Sequence, residues 1–258
     1  KHIAHIAADK MMPVSLELGG KSPTMVLDDA DLDHAVSGVL YGIFSSSGES
    51  CIAGSRLFVA RGIYDEFLTR LAEGANALRV GDPASERTQM GPLITARHRE
   101  GIERYVELGV SEGGRIRTGG VRPHGGDYDK GYFYRPTIIE GLDNSARISQ
   151  EEIFGPVLVA MPFDDEESLI AQANDSVYAL AAGVWSRDFK RAWKLGRAVQ
   201  AGTVWVNTYK QFSVSTPFGG WRDSGLGREK GREGIFQYME QKSMYWGTNE
   251  QPLPWALT

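Results

Sequence analysis

A thiol and a carboxylate stand in two glycine-rich turns of this 258-residue chain. Cys51, the only cysteine, lies in Phe44-Ser-Ser-Ser-Gly-Glu-Ser-Cys51-Ile-Ala-Gly-Ser-Arg56, thirty-four residues after the Glu17 of Leu16-Glu-Leu-Gly-Gly-Lys-Ser-Pro23. A thiolate attacks carbonyl carbon and a carboxylate can take a proton from water, so the pair has the residue types of covalent catalysis with a general base. Each also has a plainer reading. A lone cysteine serves as a small buried hydrophobe, and a glutamate at a strand end can simply accept from the amides of Gly19 and Gly20. The neighbours of Cys51 favour chemistry: Gly48 and Gly54 let the backbone approach a ligand closely, and small Ser50, Ala53 and Ser55 leave room beside the sulfur. A free thiol is only a few per cent ionised at neutral pH, so the loop needs a device that favours thiolate or oxyanion. Backbone N–H groups around Cys51 are the local candidates.

The elements that must hold these turns alternate between strand and helix. Thr24–Leu27 reads as a short strand, and Asp31 opens a helix carrying Leu32, Ala35, Val36, Val39, Leu40 and Ile43 at three- and four-residue spacing, which places Cys51 after a helix end. Arg56–Ala60 is the next strand, followed by a helix traced by Ile63, Phe67, Leu68, Leu71, Ala75 and Leu78. The alternation continues with a strand over Val157–Phe163, a helix opened by Asp164 with Glu167 completing a capping box, and a strand over Ala182–Trp185. A helix capped by Ser186 and a buried strand over Thr203–Val206 complete it. The pattern predicts an α/β fold with a largely parallel sheet and flanking helices. Between Gly109 and Arg135 the Gly-Gly pairs and charges read as hairpin and exposed loop. Arg228–Met239 reads as a polar helix and Ser243–Gly247 as a strand near the terminus, a free pairing edge.

Composition removes several classes of function. With 41% hydrophobic residues the chain can bury a substantial core. A net charge of −5, with both signs mixed along the chain, offers no basic face to nucleic acid. No apolar run approaches the roughly 18 residues of a membrane-spanning helix, and no signal peptide opens the chain. With one cysteine there is no internal disulfide, so a reducing, cytoplasmic location is the default expectation. The five histidines are scattered without metal-ligand spacing, and no metal site is expected. Gly20-Lys21-Ser22 lacks the first glycine of a phosphate loop, and Gly225-Leu-Gly227 lacks the last glycine of a dinucleotide fingerprint.

The two turns, together with Glu151-Glu-Ile-Phe-Gly-Pro-Val157, Gly202-Thr-Val-Trp-Val-Asn207 and Pro217-Phe-Gly-Gly-Trp-Arg-Asp-Ser-Gly-Leu-Gly-Arg-Glu229, resemble the NAD(P)-dependent aldehyde dehydrogenase superfamily in order and approximate spacing. The resemblance covers almost the whole chain but only the carboxyl-terminal, catalytic portion of that family's usual polypeptide. Lys1–Lys10 looks like the helix after its nicotinamide loop; the loop itself, most of the dinucleotide-binding domain and the asparagine of the oxyanion hole are missing. The resemblance implies a remnant of the cofactor-binding domain over 1–19, a catalytic domain over 20–222, and a returning helix with an oligomerisation strand over 223–258. It implies a homo-oligomer, dimer or tetramer, and as partners a small-molecule aldehyde and the missing amino-terminal half.

For the site, the resemblance implies that Cys51 attacks the aldehyde to give a thiohemiacetal, that hydride passes to NAD or NADP, and that Glu17 activates the water that hydrolyses the thioester. Glu152 and Phe154 match the positions that hold the nicotinamide ribose, with Leu18 and Gly19 beside them; a capped turn before the strand at 157 is the plainer reading. Phe212 and Phe218 match positions beside the aldehyde tunnel, or are core. Asn207 ends its strand near the nucleophile, or stabilises a turn with its amide. The chain departs from the family at Glu49, usually glutamine, and at Ser46, often asparagine; Glu49 pointed at the sulfur would oppose ionisation, so an outward orientation is expected. Alternatives are an acylating relative that passes the thioester to coenzyme A, a non-catalytic protein of the same fold, and a cofactor-free cysteine hydrolase, for which none of the histidines lies in a comparable loop. The isolated chain is expected to be inactive as a dehydrogenase.

Overall fold

Seven short strands, most of them apolar, pair into one sheet, and the computed structural model describes residues 1–248 together with 250, 251 and 255. The helices are α1 (His2–Asp9), α2 (Leu32–Phe44), α3 (Tyr64–Ala77), α4 (Ala96–Ser111), α5 (Arg147–Gln150), α6 (Glu166–Asn174), α7 (Phe189–Ala198) and α8 (Gly231–Ile235). The strands are β1 (Leu16–Glu17), β2 (Pro23–Val26), β3 (Arg56–Ala60), β4 (Arg115–Thr118), β5 (Thr137–Glu140), β6 (Val157–Phe163), β7 (Tyr178–Ala179), β8 (Ala181–Trp185), β9 (Thr203–Val206), β10 (Trp221–Arg222) and β11 (Gly225–Leu226). The large sheet runs β4-β5-β6-β3-β2-β8-β9, and every pair in it is parallel except β4 with β5. The α/β class with a largely parallel sheet is therefore as expected.

Strands β2, β3, β5 and β8 are buried along their whole length, which a parallel sheet covered on both faces requires. On one face Val39, Ile43 and Phe44 of α2 and Phe67, Leu68 and Leu71 of α3 pack on Val26, Leu57 and Val59. On the other, Leu169 of α6 and Ala192 and Leu195 of α7 pack on Met25, Phe58 and Val184. Asp31 caps α2, accepting from the His34 amide at 3.1 Å.

Several expectations need correcting. The cap of α6 is Asp165, which accepts from the Ser168 amide, while Asp164 is taken by Arg61. Asp188, not Ser186, caps α7; the Ser186 hydroxyl donates instead to Asp29. Strand β9 lies at the sheet edge and is only partly buried. The charged stretch after Thr95 contains α4, whose buried stripe is only Ile102, Val106 and Gly109. The helix expected over Arg228–Met239 shrinks to α8 and one 3-10 turn, because Glu229 instead pairs its backbone with Phe218 in both directions at 2.7 Å. Ser243–Gly247 has no regular structure in the single chain, since a strand needs a partner ladder; Tyr245 and Trp246 are exposed. Among the described residues no helix is long and apolar enough to cross a membrane.

The sheet also holds two buried cations side by side. Arg56, at the start of β3, gives its guanidinium to the carbonyls of Lys21 and Ala173, both at 2.8 Å, and to Asn144 Oδ1. Lys21 is 1% exposed and its ammonium nitrogen has no hydrogen-bond partner. Burial, and then the Arg56 charge, push its pKa down to about 7 against the pull of Glu152 and Glu151. In the unfolded chain the same lysine keeps its proton to about pH 10. Between about pH 7 and 10 the unfolded state thus binds more protons than the native state, and stability rises with pH by at most about 1.4 kcal/mol per pH unit. Urea unfolding across that window is expected to show this rise, and Lys21→Met is expected to flatten it. An unchanged slope in the variant would mean that Lys21 keeps its proton in the fold.

Candidate active site

The candidate residues sit on loops that lead into neighbouring parallel strands: Gly19 and Gly20 before β2, Cys51 before β3, Glu152 and Phe154 before β6. Strands β6, β3 and β2 are adjacent, so their preceding loops converge at the amino-terminal edge of the sheet. Cys51 is half-buried and reached through a 3-10 turn after α2 in which Ser46, Ser47 and Gly48 have φ of 55°, 56° and 72°. Such conformations are costly for a serine. Two contacts hold them: the Ser47 hydroxyl donates to Gly91 O at 3.0 Å, and a Cβ on Gly48 would lie 2.2 Å from Gly155 O. A Cβ on Gly54 would lie 2.5 Å from Thr24 Oγ1. These two glycines, expected to admit a ligand, are closed by protein. The buried Tyr209 hydroxyl, donating to Ile52 O at 3.0 Å, pins the far side of the loop.

Cys51 shares its packing cluster with Phe218, both against Ile52, Leu180, Ala181, Trp205 and Tyr209. Burial pushes its thiol up, and the nearby carboxylates of Glu17 and Glu152 push it further. The backbone N–H groups of Cys51 and Ile52 act in the opposite direction, favouring thiolate. Glu17 is placed by the pairing of β1 with β11 opposite Gly225, and its Oε1 would lie 3.0 Å from a Cβ on Gly219. Its carboxyl is raised, first by partial burial and then by Glu229, with Arg228 and Lys230 opposing. Gly20 N donates not to Glu17 but to Glu152 Oε1, at 3.0 Å.

Glu152 lies against Gly19, where a Cβ would come 1.9 Å from its Oε2, and burial raises its pKa. With Leu18, Gly19 and Tyr178 it lines an open cleft of about 550 Å³. The larger groove of about 1000 Å³ between α2 and α3 contains none of these residues. Phe154 stands apart in a third pocket with Ser46, Glu49 and His98; its φ is 56°, and its carbonyl is 2.7 Å from His98 Nε2. Glu49 points into that pocket, away from the sulfur, accepting from Ile94 N at 3.1 Å. Phe212 meets Phe218 edge-on at 5.5 Å. The Asn207 amide is taken up by both backbone groups of Ser186. Sequence reading missed Lys210, Glu229 and Lys230. Lys210 donates to Ser45 Oγ at 2.7 Å and is near enough to Cys51 that a thiolate there favours its ammonium.

Residues 1–244 match the family described as the aldehyde dehydrogenase family, and the chain belongs to it. It is 41% identical over 255 residues to a betaine aldehyde dehydrogenase of Bacillus subtilis, covering 99% of this chain and 52% of that protein. The fold superposes on betaine aldehyde dehydrogenase from Staphylococcus aureus in complex with NAD+, with a TM-score of 0.95 at 40% identity over 98% of this chain and 50% of that one. It also matches an aldehyde dehydrogenase of Bacillus cereus in complex with NAD+, with a TM-score of 0.92 at 40% identity over 96% and 50% of the two chains. The chain thus spans about half the length of the relatives it matches.

Because the Glu17 charge disfavours thiolate at Cys51, Glu17→Gln is expected to move the pH midpoint of Cys51 alkylation by iodoacetamide to lower pH. An unmoved midpoint would place Glu17 out of electrostatic reach of the thiol.

Proposed function

We propose that this chain is the catalytic portion of an NAD- or NADP-dependent enzyme that oxidises an aldehyde to a carboxylic acid, with Cys51 as nucleophile and Glu17 as the base for hydrolysis. The observation that carries the reading is the meeting of a single half-buried thiol with two carboxylates of raised pKa in the one electrostatic neighbourhood. Cys51 Sγ would bond to the aldehyde carbon, and the N–H groups of Cys51 and Ile52 would stabilise first the thiolate and then the oxyanion. Bound nicotinamide dinucleotide supplies the hydride acceptor. The residues present fit its ribose end: Glu152 spends Oε1 on the Gly20 amide and has Oε2 for a hydroxyl, in a cleft also lined by Leu18 and Gly19.

After oxidation, the acyl group on Cys51 must leave to water. Glu17 reaches this task with its proton affinity already raised toward the working range of a general base. A carboxylate placed there favours hydrolysis over transfer to coenzyme A, which needs no such base. Within this reading, residues 1–19 belong to the cofactor-binding side, 20–222 form the catalytic unit, and 223–258 close it and pair with another subunit in a dimer or tetramer. Exposed Met244, Tyr245 and Trp246 support that last role. The relatives' other half would hold the rest of the dinucleotide, so this chain by itself should not oxidise aldehydes.

In the polypeptide that carries both halves, Cys51→Ala is expected to lower aldehyde oxidation on the order of 10³-fold or more. Retained turnover would remove the assignment. Glu17→Gln should keep a first-turnover burst of reduced cofactor while the steady state falls, with an acyl adduct on Cys51 visible by mass spectrometry; unchanged steady-state hydrolysis would refute the base. Glu152→Gln should slow hydride transfer more than ester hydrolysis, and equal loss of both would make it a structural turn. Purified chain 1–258, assayed for NADH or NADPH at 340 nm, should give no turnover until the other half is supplied. Robust turnover alone would mean that the catalytic unit is smaller than proposed.

A further inference from the structure

Two lysine ammoniums stand near the aromatic side of Cys51, and among the described residues neither lies within salt-bridge distance of a carboxylate. Lys230 Nζ lies 4.4 Å from the ring centre of Phe212 and 5.6 Å from that of Phe218, the ring that packs in the Cys51 cluster. Lys230 is held there by a left-handed backbone, φ 59°, which ends the extended pairing of Glu229 with Phe218 before α8 begins. Lys210 Nζ donates to Ser45 and lies 5.8 Å from the Tyr41 ring centre. Burial pushes Lys210 down to about 8, so it is still mainly charged at neutral pH.

The cleft lined by Glu152 contains neither Phe212 nor Phe218, and neither Lys210 nor Lys230. With the cofactor in that cleft, a substrate whose carbonyl carbon sits at the sulfur has the Phe218 side of the Cys51 cluster for its far end, where Phe212 and Lys230 follow, with Lys210 in electrostatic reach of the same thiol. A quaternary ammonium at that end would seek a ring face. The face of Phe212 is already covered by the Lys230 ammonium, and two cations on one ring repel. A carboxylate, sulfonate or phosphate at the same place would meet these ammoniums, neither of them in a salt bridge among the described residues, although Lys230 also acts on the Glu17 carboxyl. We infer that Lys210 and Lys230 make this site selective for aldehydes whose far end carries an anionic group, and that they disfavour the cationic aldehyde named for the relatives. As a substrate assignment the inference rests on the dehydrogenase reading above, but the charge selection itself is measurable at the thiol.

Cys51 is the only thiol, so methanethiosulfonates bearing sulfonatoethyl, trimethylammonioethyl and plain methyl groups report the charge met on approach. With each rate divided by that of the same reagent on free cysteine, the anionic-to-cationic ratio on chain 1–258 at pH 7 is expected to exceed one. It should fall about fivefold in each of Lys210→Met and Lys230→Met. Lys→Arg at either position retains the charge and should retain the ratio, which separates charge from misfolding. A ratio below one, or one untouched by both Met substitutions, would overturn the inference. In the polypeptide that carries both halves, kcat/KM should be higher for succinic semialdehyde than for betaine aldehyde, and the gap should close in the double Met variant. Preference for betaine aldehyde would overturn the inference; oxidation of neither, nor of butyraldehyde, would overturn the dehydrogenase reading and leave the labelling ratio to decide charge selection.

Discussion

The site depends on close approaches at Gly20, where backbone passes close to backbone, and at Gly19, where backbone passes close to the Glu152 carboxylate. A Cβ on Gly20 would stand 2.6 Å from the Cys51 carbonyl oxygen, and one on Gly19 would overlap the Glu152 carboxylate. At Gly20 no side chain larger than hydrogen fits without moving the thiol loop, and at Gly19 one would displace the Glu152 carboxylate. The loop between β1 and β2 therefore lies directly on the thiol loop and on the Glu152 carboxylate, and main chain sets its separation from the thiol loop. Neighbouring parallel strands stand about 4.8 Å apart, which brings the loops leading into β6, β3 and β2 within reach of one another. Arg56 locks the arrangement from beneath, tying the start of β3 to Lys21 O on one side and to the end of α6 on the other.

The electrostatics follow from that crowding. Partial burial beside Glu17 and Glu152 keeps Cys51 protonated at rest, and the same crowding raises both carboxyls. One environment thus disfavours the thiolate of Cys51 and raises the proton affinity of Glu17. The thiolate is opposed by charge and assisted by two fixed backbone N–H groups. The orientation of Glu49 matters here, because a further carboxylate facing the sulfur would tip the balance; its bond to Ile94 N removes it.

Most of the sheet was legible because its strands are apolar runs punctuated by turn residues: β2, β3, β6 and β8 all announce themselves this way, and α2 and α3 have wide apolar stripes. Element α4 was hidden because its stripe is narrow and the rest of its surface is charged. Adjacent candidates defeated the caps: Asp164 and Asp165 are equivalent on paper, and only the position of Arg61 decides between them. At the site, Cys51 and Glu17 could be picked out by type and turn chemistry, and Phe218 by its neighbours. Lys210, Glu229 and Lys230 could not, because no local pattern shows that the loop after β9 and the segment before α8 fold back over β1 and the thiol loop. That fact is long-range, carried by Tyr209 on Ile52 and by Glu17 opposite Gly225.

The shortening of the last helix has a chemical consequence. Had Arg228–Met239 been continuous helix, Glu229 and Lys230 would point about 100° apart around one axis, and the backbone of Glu229 could not pair with Phe218. Extended geometry through Glu229, followed by the left-handed Lys230, directs the two side chains to different tasks. Glu229 raises the carboxyl of Glu17, while the ammonium of Lys230 covers Phe212. Around the thiol, the carboxylates of Glu17 and Glu152 are thereby joined by the ammoniums of Lys210 and Lys230. If Lys210 and Lys230 select an anionic tail as proposed, such an aldehyde would enter with its charge toward the lysines and its carbonyl toward the sulfur. The reverse orientation would set its anion against Glu152, so on that proposal one field would both select the substrate and align it.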